Sequence, residues 1–460
     1  MSFNLSDQKD TIIALATPQG VGAIAVIRLS GPEAIRLTNE VFFGKNLEKQ
    51  ESHTIHFGTI RDGEKIIDEV LVSLFIAPKS FTKENVVEIS THGSSYIINQ
   101  VLKLFIRKGA RLAKPGEFTQ RAFLNGQFDL AQAEAVADLI HADSETSHQA
   151  ALNQMRGGFS SEIQQLRSRL IHFASMIELE LDFGEEDVEF ASRDELRALV
   201  ERLLRVVEEL ILSFDLGNVI KNGVPTVIAG KPNAGKSTLL NALLNEEKAI
   251  VSEIAGTTRD FIEDEISIGG VIFRFIDTAG LRETTDTIEA IGVSRTQEKM
   301  KTASLILYLF DLSDTDLVEV NREINKLENQ GVPFLKVANK TDKAKANISS
   351  ELKEQHPDTI FISAGKKENL EDLKIRILEL VNLDKFRTGN TIVTNVRHYD
   401  SLVKTRASLL DILSGLDNQI SNDFVAMDIR RSLHFLGEIT GEITTDDLLE
   451  NIFRNFCIGK

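Results

Sequence analysis

The feature that most constrains the fold is an eight-residue segment, GKPNAGKS at residues 230–237, which matches the pattern G-x-x-x-x-G-K-[ST]. The apolar run VPTVIA precedes it, and STLLNALL, which favours a helix, follows it. Glycines let backbone N–H groups point inward around an anion, and the start of a helix adds a favourable dipole. The segment therefore predicts a strand, a phosphate-binding loop and a helix, with Lys236 on the β- and γ-phosphates and Ser237 on Mg²⁺.

Two later segments would complete the phosphate side of such a site. The first is DTAG at residues 277–280, directly after the apolar run VIFRFI. Its aspartate would hold Mg²⁺ through water at a strand end, and Gly280 would let its amide approach a γ-phosphate. The second, GTTRD at residues 256–260, lies where a segment that responds to the γ-phosphate belongs, and its Thr258 would complete the Mg²⁺ shell.

The base would be recognised by NKTD at residues 339–342, which closes the apolar run PFLKVA. The carboxylate of Asp342 would accept two hydrogen bonds from the ring N–H and the amino group of guanine. Adenine offers no donors there, so a buried Asp342 would be left unpaired, which discriminates strongly. Asn339 and the Lys340 stem would complete the pocket, and residues 363–364 would contact the guanine oxygen through a backbone amide. Together the four segments predict a guanine nucleotide site.

The residue after DTAG bears on how GTP is cleaved. Ras-like enzymes place there a glutamine that orients the attacking water, whereas this chain has Leu281. Either hydrolysis is negligible, or another group supplies the positioning and the charge. The amide oxygen of Asn233 would suit a monovalent cation, and Glu289 would orient or deprotonate the water. Both residues also fit ordinary solvated loops.

Composition excludes several classes of protein. The 460 residues carry 52 Lys and Arg against 69 Asp and Glu, a net charge of −17, which excludes bulk electrostatic binding of nucleic acid but allows a local basic groove. One cysteine, Cys457, excludes a disulfide framework or a cysteine-ligated zinc site. The start lacks the features of a signal peptide, and no run of eighteen apolar residues occurs. We therefore expect a cytoplasmic, multidomain protein.

The hydrophobic patterns predict three kinds of domain. Short β-rich runs (TIIALA, GAIAVIRL, HTIHFGTI, KIIDEVLVSLFIA, NVVEISTH), a hairpin at DG and a helix over residues 94–108 indicate an N-terminal α+β domain. Helical periodicity follows and returns near the C-terminus, which indicates an all-α helical domain. Between these helical parts, the apolar runs VPTVIAG, VIFRFID, SLILYLFD, PFLKVAN and TIFIS indicate an inserted α/β domain. With the nucleotide motifs that it carries, we expect it to be a Ras-like P-loop GTPase domain.

The predicted boundaries follow from these changes of pattern. The α+β domain is expected over residues 1–125, the discontinuous helical domain over 126–217 and 384–460, and the GTPase domain over 218–383. Such an insertion costs the host domain little, because chain termini of a compact domain usually lie close together. We expect linkers at Lys221-Asn222-Gly223 and at residues 384–390.

The sequence resembles one family along nearly its whole length, the tRNA uridine modification GTPases called MnmE or TrmE. The strings that carry the resemblance are ATPQGVGAIAVIRLSG, KPGEFTQRAFLNGQFDLAQAEAVADLI, GKPNAGKSTLLNAL, IAGTTRD, DTAGLR and the ending FCIGK. They occur in the family's order. The resemblance implies a homodimer in which pairing of the GTPase domains, dependent on K⁺, activates GTP hydrolysis.

The resemblance also assigns roles to individual residues. Mg²⁺ would be held by Ser237 and Thr258, and Glu289 would orient the water through a bridging contact. K⁺ would be ligated by Asn233, Ser252, Ile254 and Thr257. The residues that the motifs and the resemblance together assign to GTP are Asn233, Ala234, Gly235, Lys236, Ser237, Thr238, Ser252, Glu253, Ile254, Ala255, Gly256, Thr257, Thr258, Asp277, Thr278, Ala279, Gly280, Asn339, Lys340, Asp342, Ser363 and Ala364.

Beyond the nucleotide, the resemblance implies a tetrahydrofolate one-carbon donor and a tRNA substrate. The family's folate positions correspond here to Arg28, Glu88, Gln127 and Lys460, with Gln127 in place of a lysine that we expect in some relatives. An FAD-containing partner of the MnmG (GidA) type would carry the redox chemistry in a heterotetramer or larger complex. That complex would install an aminomethyl or carboxymethylaminomethyl group at carbon 5 of the wobble uridine of certain tRNAs.

Two alternatives stay open at the level of sequence. Cys457 is either a small, partly buried apolar residue, the usual fate of a free cysteine, or a participant in the modification chemistry. The GTPase motifs also occur in switches for ribosome assembly or docking, which act without chemistry on nucleic acid. The N-terminal α+β domain and the FCIGK ending favour the enzyme, since a basic RNA-binding module is not visible.

Overall fold

The computed structural model describes the chain in eight stretches, which are residues 10–182, 193–247, 264–276, 303–314, 316–344, 346–381, 391–454 and 456–459. The chain divides into two compact units. The first comprises Met1–His141, Ala151–Glu208 and Asp400–Lys460, and the second comprises Ala142–Ala150 and Glu209–Tyr399. Each unit contains its own sheet, and the expected architecture of an α+β domain, a helical domain and an inserted α/β domain is confirmed.

In the described part of the chain, the strands are β1 (Ile12–Leu15), β2 (Gly22–Ser30), β3 (Phe42–Phe43), β4 (Thr54–Asp62), β5 (Lys65–Phe75), β6 (Val86–Gly93), β7 (Arg111–Leu112), β8 (Val224–Ala229), β9 (Asp264–Ile268), β10 (Val271–Phe275), β11 (Leu305–Asp311), β12 (Phe334–Asn339) and β13 (Ile360–Phe361). The helices are α1 (Ala34–Val41), α2 (Ser95–Arg107), α3 (Glu117–Leu124), α4 (Leu130–His141), α5 (Glu145–Met155), α6 (Gly158–Asp182), α7 (Arg193–Asn222), α8 (Lys236–Glu247), α9 (Leu317–Glu328), α10 (Ala346–Gln355), α11 (Leu370–Leu380), α12 (Val396–Asp417), α13 (Asn422–Thr440) and α14 (Asp446–Phe453).

The first unit is built on a seven-stranded sheet in the order β3-β4-β5-β6-β2-β1-β7. Its neighbouring strands are antiparallel except β1 and β7, which are parallel. The predicted hairpin is confirmed: β4 and β5 turn at Gly63, which has a φ of 61°, and Asp62 lies opposite Lys65. One face of the sheet packs against α1 and α2 through apolar residues such as Leu37, Val101 and Phe105.

A buried ionic cluster fastens α3 to the start of β1. The side chain of Arg121 is only 4% exposed and donates to Asp10 Oδ1 at 2.6 Å, Glu117 Oε1 at 3.1 Å and Glu84 Oε1 at 3.3 Å. Burial opposes the charge on Arg121, but the attraction of the three carboxylates outweighs it and raises the pKa of Arg121. Because removing one member would leave buried charges unpaired, this cluster holds α3 in a defined place.

The helical part of the first unit is made from two distant stretches of sequence that meet in space. α6 contacts α13, and ion pairs join Arg430 to Glu178 at 2.6 Å and Arg406 to Glu208 at 2.9 Å. The apolar residues that recur at helical spacing along α6 are largely buried, with Ile163 and Leu170 at 0% exposure. No helix in the described stretches is both long and apolar enough for a membrane span.

The second unit contains a six-stranded sheet in the order β13-β12-β11-β8-β10-β9. All pairs are parallel except β9 and β10. The five predicted apolar runs form strands, with β13 reduced to two residues, whereas β9 was not predicted. Because parallel strands place their carboxyl ends at one edge, the loops after β8, β11, β12 and β13 gather there.

The prediction of a linker at Lys221-Asn222-Gly223 is wrong. α7 continues through Asn222, and Gly223 alone connects it to β8 with a φ of 72°. A Cβ at Gly223 would lie 2.9 Å from Ile272 O, so the glycine allows both the turn and the close approach. The polar residues before it are the end of a helix rather than a loop. The other expected linker, residues 384–390, lies outside the described residues.

Candidate guanine nucleotide site

The phosphate-binding loop runs from the end of β8 to the start of α8, as predicted. Two glycines give it a shape that other residues would not adopt. Gly230 has a φ of 149°, and an added Cβ would lie 2.0 Å from Leu309 O. Gly235 has a φ of 97°, and an added Cβ would lie 2.3 Å from Asn339 Nδ2. The loop backbone therefore lies directly against β11 and β12.

Lys236 is the first residue of α8, and its side chain folds back over the loop. Its Nζ donates to Gly230 O at 2.8 Å and to Lys231 O at 2.9 Å. Burial lowers the pKa of Lys236 below the ordinary value for lysine. Ser237 follows in the same turn and is half-buried, while Thr238 is exposed. The loop thus combines an ammonium, a hydroxyl and a helix N-terminus, the groups that bind a phosphate chain and its Mg²⁺.

The buried amide of Asn339 connects the loop to the predicted base-binding segments. Asn339 ends β12 and is 1% exposed. Its Nδ2 donates to Ala234 O at 2.8 Å, and its Oδ1 accepts from Ala364 N at 3.0 Å. One side chain therefore fixes the spacing between the phosphate loop and the segment at residues 363–364.

Lys340 adds a second connection to the loop. It has a φ of 61°, and its Nζ donates to Asn233 O at 2.8 Å and to Asp311 Oδ2 at 2.5 Å. Asp311 was not among the predicted site residues. The sequence signal that could have found it is the aspartate at the end of the apolar run SLILYLFD. The last residue of a parallel strand lies at the carboxyl edge of the sheet, where ligands bind.

Asp342 lies in a short 3₁₀ turn (Thr341–Lys343) after β12 and is exposed. The burial expected for its carboxylate against a bound guanine stays a prediction. The Asp342 carboxylate accepts a hydrogen bond from Ser363 Oγ at 2.8 Å. That bond lowers the pKa of Asp342, so its carboxylate is ionised at neutral pH. Asp342 therefore offers an acceptor beside residues 363–364.

The structure brings together the predicted residues of the loop, of NKTD and of the segment at residues 363–364. The remaining residues predicted for GTP, metal ions and catalysis lie outside the described residues: Ser252, Glu253, Ile254, Ala255, Gly256, Thr257, Thr258, Asp277, Thr278, Ala279, Gly280 and Glu289. Leu281 lies outside them too. The roles given to all of these residues stay predictions.

The residues predicted for folate are partly assembled on the seven-stranded sheet. Arg28 in β2 lies opposite Glu88 in β6, and its Nε donates to Glu88 Oε1 at 2.8 Å. Its Nη1 donates to Gly459 O at 3.1 Å, which places the chain's C-terminal segment beside this pair. Gln127 is exposed, and Lys460 lies outside the described residues. The ion pair of Arg28 with Glu88 therefore lies against the C-terminal segment within the first unit.

Cys457 lies next to this place and is exposed. Its carbonyl oxygen accepts from Gly116 N at 3.4 Å. Cys457 is therefore not the partly buried apolar residue that was one of the two alternatives considered for it. The preceding residues Phe453 and Phe456 are buried and their rings contact each other, so they hold the segment in place while the cysteine is exposed to solvent.

The fold and the site define a P-loop α/β nucleotide-binding unit inserted in a larger chain. The model of the MnmE helical domain matches residues 130–457, and that of the GTP-binding protein TrmE N-terminus matches residues 11–127. The chain is 61% identical to the tRNA modification GTPase MnmE of Cytophaga hutchinsonii, over 99% of both chains. It is 54% identical to the tRNA modification GTPase MnmE of Flavobacterium psychrophilum, over 98% of this chain and 99% of the other. The chain belongs to the MnmE family of tRNA modification GTPases.

Among solved structures, the chain is similar to an Era variant of Aquifex aeolicus bound to GDP and AlF₄⁻. The identity is 24%, the TM-score is 0.27, and the likeness covers 41% of this chain and 67% of the other. A likeness of that extent is too low to support an inference about the site.

The close approach of Gly235 to Asn339 can be tested with a matched pair of glycines. Gly331 also has a positive φ, 71°, but an added Cβ would meet no atom within 4 Å. Gly331→Ala should therefore cost about 1 kcal/mol from backbone strain alone. Gly235→Ala adds a clash that displaces the Asn339 amide, so we expect at least about twice that loss in urea denaturation. Equal losses in the two variants would contradict the close packing.

Proposed function

We propose that this protein is a GTP-hydrolysing subunit of a complex that modifies the wobble uridine of certain tRNAs at carbon 5. The observation that carries the proposal is the Asn339 amide, which joins the phosphate loop to the segment expected to meet guanine. Identity of 61% over nearly the whole length to a tRNA modification GTPase extends the proposal from the nucleotide site to the full chain.

In the proposed complex with GTP, the loop at residues 230–237 surrounds the β- and γ-phosphates with N–H groups. The Lys236 ammonium, held inside the loop, moves from the carbonyls to the phosphate oxygens. The Ser237 hydroxyl and Thr258 would hold Mg²⁺, a hard ion that prefers oxygen ligands. The Asp342 carboxylate accepts from guanine, and its low pKa keeps it able to do so at neutral pH.

Because Leu281 cannot orient water, we assign the positioning of water to Glu289 and added positive charge to a K⁺ ion. When bound, K⁺ would supply positive charge of the kind that an arginine supplies in other GTPases. Asn233 is exposed with a φ of 63°, and an exposed amide at this place in the loop fits this role. The further proposed ligands are Ser252, Ile254 and Thr257.

We further propose that Arg28, Glu88, Gln127 and Lys460 bind a tetrahydrofolate one-carbon derivative. A carboxylate such as Glu88 accepts from the N–H groups of a pterin ring, and a guanidinium such as Arg28 binds a carboxylate. The pairing of Arg28 with Glu88 supports this assignment, since both groups are already held at one place. A role for Cys457 in the modification chemistry fits its exposure beside them.

We propose that the protein acts as a homodimer. The sheet face that carries Arg28 and Glu88 also exposes apolar residues of β2 and β4, with Ile24 and Phe57 at 68% exposure and Ile55 at 67%. Exposed apolar areas of this kind mark interaction surfaces.

The family resemblance adds an FAD-dependent partner of the MnmG type and a cytoplasmic location. The domain limits of 1–125, 126–217 with 384–460, and 218–383 belong to the same proposal.

The K⁺ assignment predicts that hydrolysis of GTP is at least about tenfold faster in K⁺ than in Na⁺. Asn233→Gly keeps the left-handed backbone and removes only the amide, so it should abolish this difference while GDP binding persists. Asn233→Ala serves as a second variant that also adds backbone strain. Steady-state phosphate release in the two salts measures the effect. Equal wild-type rates in both salts would refute the cation role without touching GTP binding.

The tRNA assignment predicts loss of the modified wobble uridine in a strain that lacks this protein. Wild-type protein and Asp314→Asn, a change on an exposed loop residue, should restore the nucleoside, whereas Lys236→Met should not. Mass spectrometry of nucleosides from bulk tRNA gives the readout. An unchanged nucleoside profile in the deletion strain would reject the assignment and favour a docking switch.

A further inference from the structure

Asp311 occupies a position in the second unit where two parts of the nucleotide site meet. It ends β11 and lies directly opposite Asn339 in the parallel pair of β11 and β12. The next residue, Leu312, donates its backbone N–H to Asn339 O at 2.9 Å. The end of β11 is therefore fixed against the start of NKTD.

Both oxygens of the Asp311 carboxylate are engaged. Oδ1 accepts from Ser313 N at 2.9 Å and from Ser313 Oγ at 2.6 Å. Oδ2 accepts from Lys340 Nζ at 2.5 Å. Burial opposes the charge, but the hydrogen bonds from Lys340 and Ser313 outweigh it and lower the pKa of Asp311. The carboxylate is thus ionised and oriented at neutral pH.

Lys340 reaches the phosphate loop only while its ammonium points inward. Its side chain is 29% exposed, and a lysine in that position would otherwise gain rotamer freedom and hydration by turning to solvent. Asp311 gives the ammonium a counter-charge beside the Asn233 carbonyl that it binds. A second ion pair, between Glu319 and Lys231 of the loop, is more exposed and contributes little.

We propose that Asp311 is a positioning residue of the guanine nucleotide site. It holds the Lys340 ammonium against Asn233 O and thereby keeps the base-binding segment and the phosphate loop in one relative geometry. This inference rests on the proposed function of the site. Since Asp311 acts through groups that contact the base and the loop rather than the γ-phosphate, it affects GDP and GTP alike. It sets the affinity for nucleotide and leaves the rate of the bound complex unchanged.

The test uses the full chain with Asp311→Asn and, as a matched control, Asp314→Asn, which removes the same charge from an exposed residue of the same turn. Titration with GDP should show about tenfold weaker binding for Asp311→Asn and unchanged binding for Asp314→Asn. In steady-state hydrolysis of GTP, KM should rise by about the same factor while kcat stays within about twofold. Unchanged affinity, or a fall in kcat alone, would overturn the proposal.

A double-mutant cycle with Lys340→Met separates positioning from general loss of structure. If Asp311 acts through Lys340, then Asp311→Asn has no further effect on GDP affinity in the Lys340→Met background. Independent losses that add in the double variant overturn the proposal. Thermal unfolding without nucleotide checks that each variant folds. If Asp311→Asn does not fold, Asp311→Ser is used in its place. If wild-type protein fails to bind GDP, the proposed function itself is wrong, a result distinct from an ineffective Asp311 variant.

Discussion

The nucleotide site depends on a buried amide that is satisfied on both sides. Asn339 Nδ2 binds the Ala234 carbonyl and Asn339 Oδ1 binds the Ala364 amide, so the phosphate loop and the segment at residues 363–364 cannot separate without leaving a buried polar group unpaired. Such a loss costs about 1–3 kcal/mol, more than most exposed contacts in the unit contribute. The distance between the phosphate-binding loop and the segment at residues 363–364 is therefore set before a nucleotide arrives.

Glycine residues of the phosphate-binding loop leave the space that the Asn339 side chain occupies. A side chain at Gly235 would occupy the place of the Asn339 Nδ2 atom, and one at Gly230 would meet the backbone of β11. The loop sequence thus serves two purposes, since its glycines direct N–H groups inward and also let the loop lie on the neighbouring strands. Lys340, with its backbone in the left-handed region, then reaches the loop from the same edge. Preorganisation of this kind lowers the ordering cost of binding.

Sequence alone predicted much of this arrangement, because local patterns determine it. The loop, the strand before it and the helix after it are adjacent in the chain, and their order is readable from glycine spacing and apolar runs. Asp311 was missed because its partner Lys340 is 29 residues away, and only the pairing of β11 with β12 brings them together. The linker at residues 221–223 was wrong because polar residues at a helix end resemble a loop until the positive φ of Gly223 is known. The exposure of Asp342 depends on how the turn after β12 leaves the sheet, which no local pattern specifies.

The central claim is that one carboxylate, Asp342, recognises guanine on a diphosphate held by the loop. Calorimetric titration with GDP and ADP in Mg²⁺ buffer tests it most directly, with wild-type protein compared with Asp342→Asn and with Asp372→Asn, which alters an exposed residue on α11. The account predicts that wild type and Asp372→Asn bind GDP at least about a hundredfold more tightly than ADP, and that Asp342→Asn loses most of this preference. No heat with either nucleotide, or an unchanged preference in Asp342→Asn, would contradict it.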